Sequence, residues 1–227
     1  MSSNFHPDGT LFIISGPSGA GKTTLINAVR DEVEPLGLQL YFSVSHTTRK
    51  PRPGETEGKS YYFLSDEKFS SMVRAGEFLE WAHVHDHRYG TSKAEVIHRL
   101  KNGEDVILDI DYQGAKQIAA DRDLKERKVN VFIFPPSLEV LEQRLRDRSL
   151  NTEQEIDTRL RKAIDEIDAG KEFYDYIIIN DNLKVATQCL KAAIIASKLK
   201  TKTALEAIAR MAERFREERD GRIARGR

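Results

Sequence analysis

The 227-residue chain has a single cysteine, Cys189, so no disulfide can form within it, and the composition suits a reducing compartment. It shows no internal repeat and no low-complexity tract. No apolar run approaches the ~18 residues needed to span a bilayer. The opening segment, MSSNFHPDGT, is polar and lacks the apolar core of a secretory signal. Net charge is missing too: 36 basic residues balance 36 acidic ones. No global field therefore points to nucleic acid or to a membrane surface. These absences lead us to expect a soluble, cytoplasmic protein.

What is present suffices for a packed core, since 39% of residues are hydrophobic. The charged fraction, 32%, is above the usual quarter and implies a large polar surface with several solvated helices. A mass of 25.8 kDa fits one compact unit with inserted lobes, or at most two small domains. Short apolar runs occur at Leu11–Ile14, Leu40–Val44, Tyr61–Leu64, Val106–Ile110, Val129–Phe134 and Tyr176–Ile179. Most are rich in Val, Ile, Phe or Tyr, as strands are. Between them Leu138, Leu141 and Leu145, and then Ile156, Leu160, Ala163 and Ile167, recur at helical spacing. Strands alternating with helices predict an α/β fold with a mainly parallel sheet. Continuous apolar runs such as VILDI, VFIF and YIII fit strands buried on both faces.

The most specific pattern is Gly16-Pro17-Ser18-Gly19-Ala20-Gly21-Lys22-Thr23, followed by Thr24. It matches G-x-x-x-x-G-K-[ST], with a strand expected over Thr10–Ser15 before it and a helix from Lys22 to about Val33 after it. Glycines let the backbone curl so that several N–H groups point at phosphate oxygens. The following helix adds the positive end of its dipole. Lys22 supplies a compact charge for the β and γ phosphates, and the Thr23 hydroxyl is a hard oxygen ligand suited to Mg²⁺. The other reading is a glycine-rich turn that happens to contain a lysine. Val106–Asp111 delivers Asp109 to the carboxyl end of a buried strand, where open α/β sheets bind ligands. A carboxylate there can hold the hydration shell of Mg²⁺. Taken alone, it reads equally as an ordinary surface acid.

A phosphate loop implies a nucleoside triphosphate and leaves the acceptor open. The segment 45–60, SHTTRKPRPGETEGKS, reads as a stiff polar loop, because Pro51 and Pro53 push Lys50 and Arg52 toward extended geometry. Its residues Ser45–Glu55, then Gly58 and Tyr61, resemble the guanylate kinase family. So do Glu77–Ala82, Tyr89-Gly90-Thr91 and Leu108–Gly114. With the phosphate loop, five blocks match in order and spacing, from about Gly9 to about Lys200, in the manner of the stand-alone bacterial enzymes.

The resemblance implies a P-loop NTPase-like parallel sheet flanked by helices, with an inserted nucleoside-monophosphate-binding lobe and a helical lid. It divides the chain into a core (1–37, 96–137 and 169–200), a GMP-binding lobe (38–95), a lid region (138–168) and a C-terminal helical tail (201–227). It implies transfer of the γ-phosphoryl group of ATP to GMP, and to dGMP, with Mg²⁺ as cofactor. Carried over by position, Arg49, Arg52, Tyr61 and Tyr89 would grip the monophosphate, and Ser45, Glu80 and Thr91 would read the base. Glu55 would brace the loop, Asp109 and Asp111 would support Mg²⁺ and the acceptor, and Arg144, Arg148 and Arg159 would be the lid arginines. One departure is visible: Arg148-Ser149-Leu150 stands where the family usually has a glycine-containing turn.

The chemistry is reasonable in its own right. Arginine forks suit phosphate oxygens. A carboxylate accepts from both N1–H and N2–H of guanine, while hydroxyls donate to O6. Adenine would leave those groups unpaired, a mismatch worth roughly 10⁴–10⁵ in discrimination. Two alternatives are a kinase of the same fold acting on a phosphorylated sugar, and a non-catalytic interaction domain. The first would not need Ser45, Glu80 and Thr91 together; the second would be expected to have lost the loop lysine or the acceptor arginines.

Three further features remain. His83, His85 and His87 alternate, as on one face of an extended segment; with no cysteine nearby they read as an exposed polar strand, a Zn²⁺ or Ni²⁺ site being the alternative. Cys189 reads as a packing residue in a helix. Leu205, Ile208, Ala212 and Phe215 form an apolar stripe on a long C-terminal helix whose residues 210–227 carry seven arginines against four acids. A solvated helix with a basic end is one reading; self-association through this helix is the other.

Overall fold

The computed structural model describes residues 9–84, 86–121, 124, 127–147, 152–169, 173–199 and 201–224. The chain runs through β1 (Leu11–Ser15), α1 (Lys22–Val33), β2 (Leu40–Phe42), β3 (His46–Thr47), β4 (Tyr62–Phe63), α2 (Asp66–Arg74), β5 (Phe78–Val84) and β6 (His87–Ser92). It continues through α3 (Lys93–Lys101), β7 (Asp105–Asp109), α4 (Tyr112–Ala120), β8 (Lys128–Phe134), α5 (Leu138–Asp147), α6 (Glu153–Ala169), β9 (Tyr176–Ile179), α7 (Leu183–Lys198) and α8 (Thr201–Ala224).

Five strands form a sheet in the order β2-β7-β1-β8-β9, and every pairing in it is parallel. Alternation along β1 explains its place at the centre. Phe12 and Ile14 point to one face, packing with Leu25, Val29, Leu190 and Ile194 of α1 and α7. Leu11 and Ile13 point to the other, packing with Val96, Leu100, Ala115 and Ile118 of α3 and α4. Both faces are apolar because successive side chains of a strand point to opposite sides and both sides here are covered by helices. Each of these large side chains contributes about 1.5–3 kcal/mol by leaving water.

A second sheet, ordered β4-β3-β6-β5, mixes one parallel pairing with two antiparallel ones. The β5–β6 hairpin is irregular between Phe78 and Glu80: Phe78 pairs with Ser92, and Glu80 pairs with Thr91. The extra residue re-aims the strand, as β-bulges do, and sets Glu80 directly opposite Thr91. Phe69 and Met72 of α2 close over Phe78 to form a small core of their own. Helices α5 and α6 pack on each other through Leu141, Leu145, Ile156 and Ala163.

Several expectations are corrected. Strand β3 lies inside the segment read as a polar loop; two residues are too few to leave a period in the sequence. Strand β2 ends at Phe42, although its apolar run continues to Val44. His83 and His87 sit on different strands of the hairpin, with a turn at Asp86 between them, so they are not one extended face; His85 lies outside the described residues. Cys189 is exposed, because α7 turns Ala186, Leu190, Ala193 and Ile194 inward instead. Leu138 is also exposed, leaving Leu141 and Leu145 as the buried pair of α5. Ile208 and Phe215 of α8 are exposed.

A buried ion pair ties the end of α7 to the sheet. Asp105 accepts from the Thr10 backbone N–H at 2.8 Å and from the Lys198 ammonium. Its carboxylate is 5% exposed, and the Lys198 side chain 12%. We expect Asp105→Ala to destabilise the fold by about 3 kcal/mol, since it strands a desolvated ammonium and an amide. Urea unfolding with an unchanged m-value checks this.

Candidate active site

The phosphate loop joins β1 to α1, leaving the central strand where its neighbours also end. Gly16, Gly19 and Gly21 have positive φ, at 143°, 96° and 88°. At Gly16 the constraint is also steric: a Cβ there would lie 2.3 Å from the carbonyl oxygen of Ile133 in β8. Gly21 is the N-cap of α1, and no side chain caps that helix end. The first turn contains no acid, so the amides and dipole of α1 face the loop uncompensated. Lys22 rests on the loop, donating to Gly16 O at 2.8 Å, and lies 3.8 Å from the Asp109 carboxylate. The Thr23 hydroxyl donates to Asp109 Oδ2 at 2.6 Å. Asp109 is the last residue of β7, which pairs with β1.

Facing the loop is a cavity of about 310 Å³. The phosphate loop and the second sheet line it, with Asp109 and Asp111 on the core side and α6 opposite. Its size is at the lower end of the usual range for small-molecule sites. Ser45, Arg52, Tyr61, Glu80 and Tyr89 reach it from the second sheet and its loops. Arg159 reaches it from α6, with its guanidinium 3.5 Å from Ser18 Oγ.

The dominant electrostatic feature is Glu80, which is 4% exposed. Burial pushes its carboxyl up to about 7, against the opposing hydrogen bond donated by the Thr91 hydroxyl at 2.5 Å. Nearby Asp111 adds to the upward shift. Gly114 makes room for this carboxylate: a Cβ at that position would lie 2.2 Å from Glu80 Oε2. Asp111 caps α4 by accepting from Gly114 N–H at 3.0 Å.

Arg49 differs from Arg52. It is 8% exposed and gives both fork nitrogens to Glu55, at 2.7 and 2.9 Å. That bidentate pair holds the guanidinium well above its ordinary range and the Glu55 carboxyl below its own. Arg49 also donates from Nε to the Tyr89 hydroxyl at 3.2 Å, and Glu55 accepts from Arg52 N–H at 2.8 Å. Arg49 and Glu55 thus stiffen the segment that presents Arg52, Arg49 also steadies Tyr89 of β6, and neither Arg49 nor Glu55 lines the cavity. Thr91 stands behind Glu80 and does not line it either. Arg144 braces the loop from outside, donating to Asn180 O at 3.0 Å and lying 3.5 Å from Ala20 O. Arg148, with Ser149 and Leu150, lies outside the described residues.

This arrangement coincides with a known family. The sequence model described as guanylate kinase matches residues 8–197. The chain belongs to the guanylate kinase family. It is 48% identical to a guanylate kinase of Rhodopseudomonas palustris over 85% of this chain and 84% of the relative. It is 49% identical to one of Blochmanniella floridana over 85% and 89%. The crystal structure of guanylate kinase from Anaplasma phagocytophilum superposes with a TM-score of 0.68 at 31% identity, covering 86% of this chain and 89% of that one. Helix α8 lies beyond the part matched by the family.

The guanylate kinase resemblance did not single out Lys162, Glu166, Asn180 or Gly114 for roles. Lys162 and Glu166 line the cavity from α6, and Glu166 is 8% exposed, its carboxyl raised by burial. They follow Arg159 at i+3 and i+7, so the helical period from that arginine was a usable signal. Asn180 follows the last residue of β9 and donates to Ala20 O at 2.7 Å. Its place just past a parallel strand was the clue there. Gly114 had no signal beyond being a glycine inside a helix. We expect Gly114→Ala to destabilise the protein, by about 1–3 kcal/mol of overpacking. This reverses the gain of about 1 kcal/mol that Gly→Ala usually brings within a helix. Thermal unfolding reads the sign directly.

Proposed function

We infer that the chain transfers the γ-phosphoryl group of ATP to GMP, giving ADP and GDP. The observation that carries this reading is the buried Glu80 carboxyl, paired with the Thr91 hydroxyl, on the wall of the cavity that the phosphate loop faces. Burying an acid without an ion-pair partner is costly unless a ligand uses it. A guanine offering N1–H and N2–H is such a ligand, with Ser45 supplying a hydroxyl toward O6; the expected O6 role of Thr91 gives way to one of orienting Glu80, to which its only hydroxyl proton is donated. A phosphorylated sugar offers no matching donor pair for Glu80. None of the acceptor residues is assigned to the ribose 2′ position, so we extend the acceptor to dGMP.

The roles follow the positions. Amides of Gly16–Thr24 cradle the ATP phosphates, and Lys22 leaves the loop carbonyl for the β and γ oxygens. Arg52, Tyr61 and Tyr89 hold the acceptor phosphate, with Arg49 placing Tyr89 and, through Glu55, the backbone of Arg52. Arg159, Arg144 and Arg148 offset charge from the lid side. The acceptor oxygen is already anionic, so orientation and neutralisation carry the chemistry and no strong base is required. The adjacent Thr23 hydroxyl and Asp109 carboxylate are hard oxygens that fit Mg²⁺, the carboxylate in part through water, with Asp111 nearby. An ion held there would supply positive charge against the developing negative charge of the phosphates. We assign the acceptor lobe to 38–95 and the lid to 138–168, supported by the second sheet and by the separate α5–α6 core. Within 38–95, β2 belongs to the large sheet. The tail 201–227 remains a candidate for self-association.

A coupled assay with GMP, AMP and a sugar phosphate tests the reading; turnover of AMP or the sugar phosphate in preference to GMP would sink it. We expect Lys22→Ala to lower kcat by about 10²–10³-fold or more with the fold retained, as loss of one preorganised charge at a developing anion does. Glu80→Gln should raise the half-saturating GMP concentration by about 10–100-fold, the equivalent of one charged hydrogen bond at ~1.5–3 kcal/mol, and leave ATP little changed. The raised acid also sets a pH dependence. Below about 7 Glu80 is protonated and offers one acceptor fewer, so GMP affinity should fall from pH 8 to pH 6. Glu80→Gln should lack that component, and comparing the two proteins cancels the titration of GMP itself.

A further inference from the structure

Lys162 stands on α6, the lid helix, yet its partners belong to both sides of the cavity. Its ammonium is 3.7 Å from Asp111 Oδ2 and 3.8 Å from Glu166 Oε1. Both distances are ion-pair contacts just short of hydrogen bonds. Asp111 Oδ2 is buried and has no hydrogen-bond partner among the described residues. The pair is thus about 1 Å longer than a charged hydrogen bond, and the buried oxygen has capacity for one.

Asp111 is in turn joined to the acceptor side. Its other oxygen caps α4 through Gly114, on which the Glu80 carboxylate packs. One turn further on, Gln117 of α4 holds β5 on both sides of one residue: it accepts from Trp81 N–H at 3.2 Å and donates to Trp81 O at 2.7 Å. Any displacement of Asp111 reaches the strand that carries Glu80 through two fixed contacts.

We propose that Lys162 is a positioning residue that couples docking of the lid to acceptor binding, by completing an ion pair with Asp111. This rests on the assignment of the cavity to GMP and ATP. Lys162 need not touch either nucleotide. When α6 closes, its ammonium secures the capping carboxylate and so holds the floor of the acceptor pocket. By reciprocity, a filled acceptor pocket stabilises Asp111 in place and favours the closed lid.

The test measures GMP binding by calorimetry, with and without a non-hydrolysable ATP analogue, for the intact chain and for Lys162→Met and Lys162→Arg. The intact protein should bind GMP at least about fivefold more tightly with the analogue present, the low end of ordinary coupling. Lys162→Met should lose most of that enhancement. Lys162→Arg should restore it. Combining Lys162→Met with Asp111→Asn should add no further loss of coupling. A Lys162→Met protein that keeps the full enhancement overturns the proposal, as does a loss that Lys162→Arg fails to rescue. Failure of the intact chain to phosphorylate GMP would instead strike the functional assignment beneath it.

Discussion

A side chain at position 16 would place its Cβ 2.3 Å from the Ile133 carbonyl oxygen. The phosphate loop can lie this close to β8 only because the residue that leaves the central strand is glycine. The rest of the site depends on that approach. It seats the loop on the carboxyl edge of the sheet, starts α1 with its amides pointing into the cavity, and brings Thr23 within 2.6 Å of Asp109 on the neighbouring strand. Parallel pairing is what makes the edge useful: β1, β7, β8 and β9 all run the same way, so their ends deliver Gly16, Asp109 and Asn180 to one side.

The acceptor side faces a different physical problem, which is how to hold charge out of water. Two solutions stand a few residues apart. Arg49 and Glu55 neutralise each other with two parallel hydrogen bonds, and both are held firmly ionised. Glu80 is buried against Thr91, whose hydroxyl donates to it, and no cation pairs with it among the described residues, so its ionisation stays poised near neutrality. The difference fits the division of labour proposed for them. A structural pair should be self-sufficient, whereas a group that recognises a ligand should be left with unmet capacity.

Helix α6 meets both problems at once. Its apolar side packs on α5, and its polar side carries Arg159, Lys162 and Glu166 into the cavity. Across the cavity, Lys162 lies 3.7 Å from Asp111 and Arg159 3.5 Å from Ser18 Oγ of the phosphate loop. Such contacts are individually weak when partly exposed. That suits the part proposed for α6, a lid that opens and closes.

Much of this was legible beforehand, because some constraints are local. The phosphate loop needs a fixed order of glycines and a lysine, and buried parallel strands need unbroken apolar runs, so the α/β class, the loop, Thr23 and Asp109 could all be read from the order of residues. The five-block resemblance carried the acceptor residues and the family. Tertiary structure alone decided the rest, since it depends on residues far apart in the chain. It buried Glu80 beneath Thr91 through a bulge, packed Gly114 against that carboxylate where a Cβ would collide with it, and turned Cys189 outward while Leu190 faced in. It drew Arg49 away from the cavity into a pair with Glu55, and it set Lys162 against Asp111 across 51 positions of sequence. Periodicity states which side of a helix is apolar; only the packed neighbours determine which polar groups on the other side lose their water, and that loss gives them their chemistry.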